Sequence, residues 1–157
     1  DPDEPLYTRS IKSLCENDDT VQLMCVDLDE TLLVMGFSDG TLCAFRNYTG
    51  NLLKSVPFAT LPKEGNEGSI ISVPEQKALH SIRIHHSKDF APRIIGGCGN
   101  GEIRMWSTSA FELLWILQAH VDPVIEIQSN GELFLSRTER YDTSIRVWNE
   151  SVISQSP

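Results

Sequence analysis

Four histidines, His80, His85, His86 and His120, are the side chains of this sequence best suited to holding a metal or moving a proton. His85 and His86 are neighbours at the end of an alternating apolar run. Adjacent residues of a strand point to opposite faces, so this pair is badly placed to share one ion, and no metal site is expected. His120, Ser136 and Asp142 supply the residue types of a hydrolytic triad, in which a base takes the serine proton and a carboxylate orients the base. A triad also needs an oxyanion hole and a substrate pocket, and the sequence offers neither. Gly96-Gly-Cys-Gly-Asn-Gly101 looks like a phosphate loop, but no Gly-Lys-Ser/Thr follows and the next segment reads as a strand rather than a helix. Those glycines suit a strand end and a tight turn, so no cofactor is expected. Cys15, Cys25, Cys43 and Cys98 contain no C-x-x-C, which argues against a zinc knuckle or a dithiol redox pair.

Composition narrows the function further. A chain of 157 residues is one domain's worth, and 40% apolar with 22% charged is enough to fill a core. The net charge of −9, with no block of Lys or Arg, disfavours nucleic acid and an anionic membrane surface, because both are gripped by clustered cations. Apolar runs fall far short of the roughly 18 residues a membrane helix needs. The opening Asp1-Pro-Asp-Glu-Pro5 has no initiator Met and no secretory leader, which predicts a chain cut from a longer polypeptide. These features point to protein partners in the cytoplasm or nucleus.

The elements that position these residues repeat along the chain. Leu32 to Gly50, Ile94 to Phe111 and Leu133 to Ser151 each run from a short apolar stretch through a small or polar turn into an alternating strand that ends in an aromatic. The turn residues are Asp39, Asn100 and Asp142, and the aromatics Phe45, Trp106 and Trp148 each follow six residues later. Ser38-Asp39-Gly40 and Asn100-Gly101 are hairpin signals, because Asn, Asp and Gly accept the positive φ of such turns. A further apolar segment precedes each hairpin, at Val21 to Leu28, Leu79 to His85 and Val124 to Gln128. Another follows, at Asn51 to Phe58, Phe111 to Gln118 and Ser151 to Ser154. Four strands per unit result. The Pro-, Gly-, Glu- and Ser-rich stretch at residues 57–78 reads as a surface insertion with one short strand at Ser69 to Val73, and residues 6–14 as the outer strand of a preceding unit.

These residues resemble the WD-repeat β-propellers. Ala119-His120 stands where that family has Gly-His, and Trp148-Asn149 where it has Trp-Asp. The resemblance implies an all-β fold of four-stranded antiparallel blades over residues 1–157, at approximately 20–58, 79–118 and 120–155. It also implies a hydrogen-bonded chain within the third blade through His120, Ser136, Asp142 and Trp148. Asp39 and Trp106 hold the corresponding places in the first and second. Propellers close with four to eight blades, so about three blades do not make a ring, and the rest of a longer chain or a second copy must complete it.

A propeller of this kind implies a non-enzymatic scaffold that presents loops to peptide or subunit partners. Arg83, aligned with Gln22 and Ile125, is the candidate for gripping an acidic or phosphorylated peptide, as in the substrate-recognition propellers of F-box-type ubiquitin ligases. A guanidinium fork suits phosphate. Arg137 and Arg140 are further candidates in the loop before Asp142, and Trp115 could anchor a partner from the outermost strand of the second unit. The competing reading is a hydrolase using His120, Ser136 and Asp142.

Overall fold

A computed structural model of the chain describes residues 2–16, 18–58, 74–141 and 143–150. Among them, β1 (Leu23–Leu28), β2 (Leu32–Phe37), β3 (Leu42–Arg46) and β4 (Leu52–Val56) form one antiparallel sheet in chain order. A second contains β5 (Leu79–His85), β6 (Arg93–Cys98), β7 (Glu102–Ser107) and β8 (Leu113–Gln118), and a third contains β9 (Glu126–Ser129), β10 (Leu133–Arg137) and β11 (Ile145–Asn149). The sheets are three successive blades. Their first strands lie side by side, β1 against β5 and β5 against β9, and the three blades do not close a ring.

Strand pairing sets one register for all three. Phe45 lies opposite Leu33, Trp106 opposite Ile94 and Trp148 opposite Phe134. Because side chains alternate across a sheet, each blade has a near face, carrying its aromatic, and a far face turned to the next blade. Val34, Leu42 and Ala44 of the first far face pack with Ile94 and Trp106 of the second near face. Ile95, Ile103 and Met105 of the second far face pack with Phe134, and with half-buried Trp148, of the third. Each fully buried aliphatic side chain contributes about 1.5–3 kcal/mol, so these two seams are the core of the molecule.

Three sequence expectations change. Leu6 to Leu14 is not a strand: Ile11–Leu14 is a single helical turn, α1, capped by Ser10, whose hydroxyl accepts from Ser13 N. Leu14 and Cys15 turn onto the near face of the first blade instead of pairing with an edge. Phe58, where the sequence has the fourth segment of the first unit run into the surface insertion, packs inward, with its ring 3.9 Å from the Arg104 guanidinium carbon of the second blade. Pro74–Lys77 forms a second helical turn, α2, which leads into β5. Finally, the pairing puts Asp27 and Gln128, not Gln22 and Ile125, level with Arg83. Leu23 and Leu79 share a level and the same bulge follows each, so the register is set from those residues and not from Val21 and Val124, where the apolar runs begin in the sequence. Ser69 to Val73, Ser151 to Ser154 and Asp142 lie outside the described residues.

Candidate interaction site

The third blade brings His120, Ser136 and Trp148 together. Ser136 sits on β10 two residue pairs from Trp148 on β11, on the same face, and His120 arrives on the segment that leaves β8. Trp148 Nε1 donates to Ser136 Oγ at 2.9 Å, and Ser136 Oγ lies 2.7 Å from His120 Nε2. Ser144 Oγ is 3.3 Å from His120 Nδ1. An indole N–H can only donate, so the serine oxygen accepts from it and its own hydrogen is left to reach His120 Nε2. Ser136 is wholly buried and His120 nearly so. A nucleophile with no exposed surface and an indole N–H on its oxygen has no path to a substrate, so the arrangement satisfies buried polar atoms rather than activating a hydroxyl. The other blades solve the same place without polarity. Met35 stands level with Ser136 under Phe45, and Gly96 leaves room for the Trp106 ring.

Ser136→Ala should therefore cost about 1–3 kcal/mol by chemical denaturation, the penalty for leaving Trp148 Nε1 and His120 Nε2 without their partner. Combined with Trp148→Phe it should cost less than the two single changes added together, because both remove one contact. Additive losses, or a folded variant that has lost ester-hydrolysing activity, would contradict this role.

Arg83 joins blades. Its Nε donates to the Ile127 carbonyl of β9 at 3.1 Å, and its Nη1 lies 3.6 Å from Asp27 Oδ1 of β1. Asp27, at the same level of the first blade, accepts from Ile84 N of β5 at 2.7 Å. β1 and β5 thus each extend a polar side chain to the backbone of the next inner strand. Arg137 contacts Glu126 and Glu139, and Arg140 stands exposed on the loop beyond β10. Trp115 is half-buried and stacks on Phe134 with ring centroids 6.4 Å apart, covering the seam between the second and third blades.

His85 and His86 diverge, as alternation requires. His86 Nε2 lies 2.9 Å from Asp29 Oδ2 at the surface, whereas His85 is buried with Nε2 2.7 Å from Glu150 Oε2. That contact is close without the alignment of a hydrogen bond. Glu150 also takes Arg93 Nη1 on its other oxygen at 2.6 Å. Burial pushes the Glu150 carboxyl up, but His85 and Arg93 together outweigh it and hold it below its ordinary value. Sequence reasoning missed this trio. Its members lie at the end of β5, at the start of β6 and just past β11, in two units, and no spacing links them. Asp39 caps its own turn, accepting from Thr41 N at 2.9 Å.

Two blade faces stay open among the described residues, one at each end of the row of blades. Ile145 and Val147 of β11 are 62% and 61% exposed, while Ile103 and Met105, at the same register in the second blade, are fully buried. At the other end, Val26 and Leu28 are 54% and 62% exposed, while Ile82 and Ile84, at their level in β5, are 5%. Scattered exposed aliphatics are ordinary. A row of them at positions buried in the neighbouring blade sets these two faces apart from the rest of the surface.

No protein-family model matches the chain, and no curated protein matches it in sequence. Solved structures do. The WD40 repeats of RRP9 superpose with a TM-score of 0.62 at 18% identity, over 84% of this chain and 36% of that one. Sqt1 of Saccharomyces cerevisiae gives 0.66 at 16% identity, over 89% and 36%, and U3-55K gives 0.62 at 18%, over 84% and 37%. At these identities the likeness is one of fold, and the fold is that of WD40 propeller blades. The chain spans little more than a third of each of those structures.

Proposed function

We propose that the chain is a non-enzymatic protein-interaction scaffold, a section of a WD40 propeller that offers loops and open blade faces to protein partners in the cytoplasm or nucleus. The observation that carries this reading is the exposure of Ile145 and Val147 at the register where Ile103 and Met105 are buried. A sheet face of that composition is completed by another apolar sheet face, supplied by further blades in the same polypeptide or another one. The burial of Ser136 speaks against the hydrolase reading. A ubiquitin-ligase adaptor gripping acidic or phosphorylated peptides through Arg83 is the weaker alternative, because the Arg83 fork already contacts Ile127 and Asp27.

The test is partner capture by the chain and by an Ile145→Glu/Val147→Glu variant, with far-UV circular dichroism on both. Two carboxylates on that one face block docking of an apolar partner without touching the folded core. Partners lost by the variant with the β-signal kept support the scaffold reading. The same partners captured equally by both proteins would remove this face from the function.

A further inference from the structure

The near face of the first blade is half covered by the chain's own beginning. Phe45, on that face, is fully buried, although no blade precedes it among the described residues. Its cover is the segment before β1. The Arg9 guanidinium carbon lies 5.4 Å from the centre of the Phe45 ring, and Arg9 Nε donates to the Gly50 carbonyl at 2.7 Å. The Tyr7 ring packs so closely on Gly50 that a methyl group there would come within 2.7 Å of it. Leu14 and Cys15, at the end of α1, pack on the cluster of Met35, Phe37, Cys43 and Phe45.

The same place in the second blade, around Trp106, is filled by the far face of the first blade, through Val34, Leu42 and Ala44. A one-turn helix and an irregular strap therefore do here what a sheet face does elsewhere. The cover stops short of the inner strand, where Met24, Val26 and Leu28 alternate outward, 36%, 54% and 62% exposed. An edge with three exposed apolar residues is not a finished surface. The strap is also weakly built. Residues 8–13 are exposed, and α1 is a single turn, too short to hold itself.

We propose that residues 7–15 form a detachable self-cap that occupies the near face of the first blade, and that its release opens that face to the far face of the third blade of a second copy. Complementarity argues for that occupant. The far face carrying Ile145 and Val147 stands at the register of the far faces that cover Trp106 and Trp148 within the chain. This extends the scaffold reading by naming what docks at one end and what holds it off, while the cap itself can be tested independently.

The cysteines supply the test. Cys43 is buried beneath the cap, and Cys98 is buried in the seam between the first and second blades, away from it. Thiol alkylation of the full chain should label Cys43 about tenfold faster in a Tyr7→Ala/Arg9→Ala variant than in the unaltered chain, with each single change intermediate and Cys98 unaltered. Unchanged labelling of Cys43 would overturn the cap. Cys98 labelling that rises in step would overturn it too, because the segment would then be an integral part of the fold. By light scattering, the released variant should gain mass with concentration, and adding Ile145→Glu should return it to 17.6 kDa. A released variant that labels faster and stays at that mass would overturn the second-copy occupant, whatever the capture experiment shows.

Discussion

Replacing Gly101 with alanine should lower the stability of the chain by about 3 kcal/mol or more. Gly101 ends the hairpin turn of the second blade at φ +86°, in the left-handed region that L side chains avoid. A β-carbon there would also come within 2.6 Å of the carbonyl carbon of His120. That backbone cannot retreat at low cost. Ala119 N and His120 N both donate to the Gly101 carbonyl, at 3.2 and 3.0 Å, so the turn of the second blade and the entry to the third are tied together. The first blade repeats the device, with Gly40 at φ +87° against the Lys77 carbonyl. Gly101→Asn separates the two costs. Asparagine accepts a positive φ better than alanine, but its β-carbon meets the same carbonyl. Urea denaturation should therefore show both variants strongly destabilised. Full stability in the asparagine variant would mean that backbone conformation alone, and not the packing of one blade on the next, sets the requirement.

Glu150→Ala should cost about 3 kcal/mol at neutral pH, the low end for breaking a buried ion pair, because Arg93 lies near enough to the surface to turn towards water. The substitution leaves His85, buried in the seam and edge-on to Phe134 with centroids 6.1 Å apart, facing an emptied site. The pH dependence has a definite sign. The folded carboxyl is held below its ordinary 4.5, so its contribution is present above that value and fades as pH falls through the folded one. Denaturation curves of the two proteins should differ most near neutrality and converge only once the pH has fallen below the folded carboxyl's own, lowered value. A gap that stays constant through the acid range would show that packing, and not charge, is what Glu150 contributes.

The repeat was legible because each unit writes its turn and its aromatic at a fixed distance, and alternation then dictates which residues share a face. Leu79 to His85 was readable as a strand for that reason, as were the strands ending at Trp106 and Trp148. The local partners of Trp148 were also nameable from motif spacing. What could not be read was whatever depends on one blade meeting another. Leu6 to Leu14 has the apolar content of a strand, but its last residues form a helical turn that packs over the near face of the first blade, a contact no sequence pattern announces. Arg83 reads as a candidate for gripping an acidic peptide, because nothing in its neighbourhood of the sequence announces that Asp27 and Ile127 will flank it. Glu150, Arg93 and His85 come together only through the third dimension.

The most direct test of the account is a matched pair of substitutions, Ile103→Ala and Ile145→Ala, compared by equilibrium urea denaturation. The two isoleucines hold the same register on neighbouring blades, and only the first has a blade packed against it. The account predicts a loss of about 2–5 kcal/mol for Ile103→Ala, from lost burial and the cavity left behind, and no more than about 0.5 kcal/mol for Ile145→Ala. Equal losses at the two positions would mean that the third blade's far face is already covered within this chain. It would then not be the open end of a propeller section.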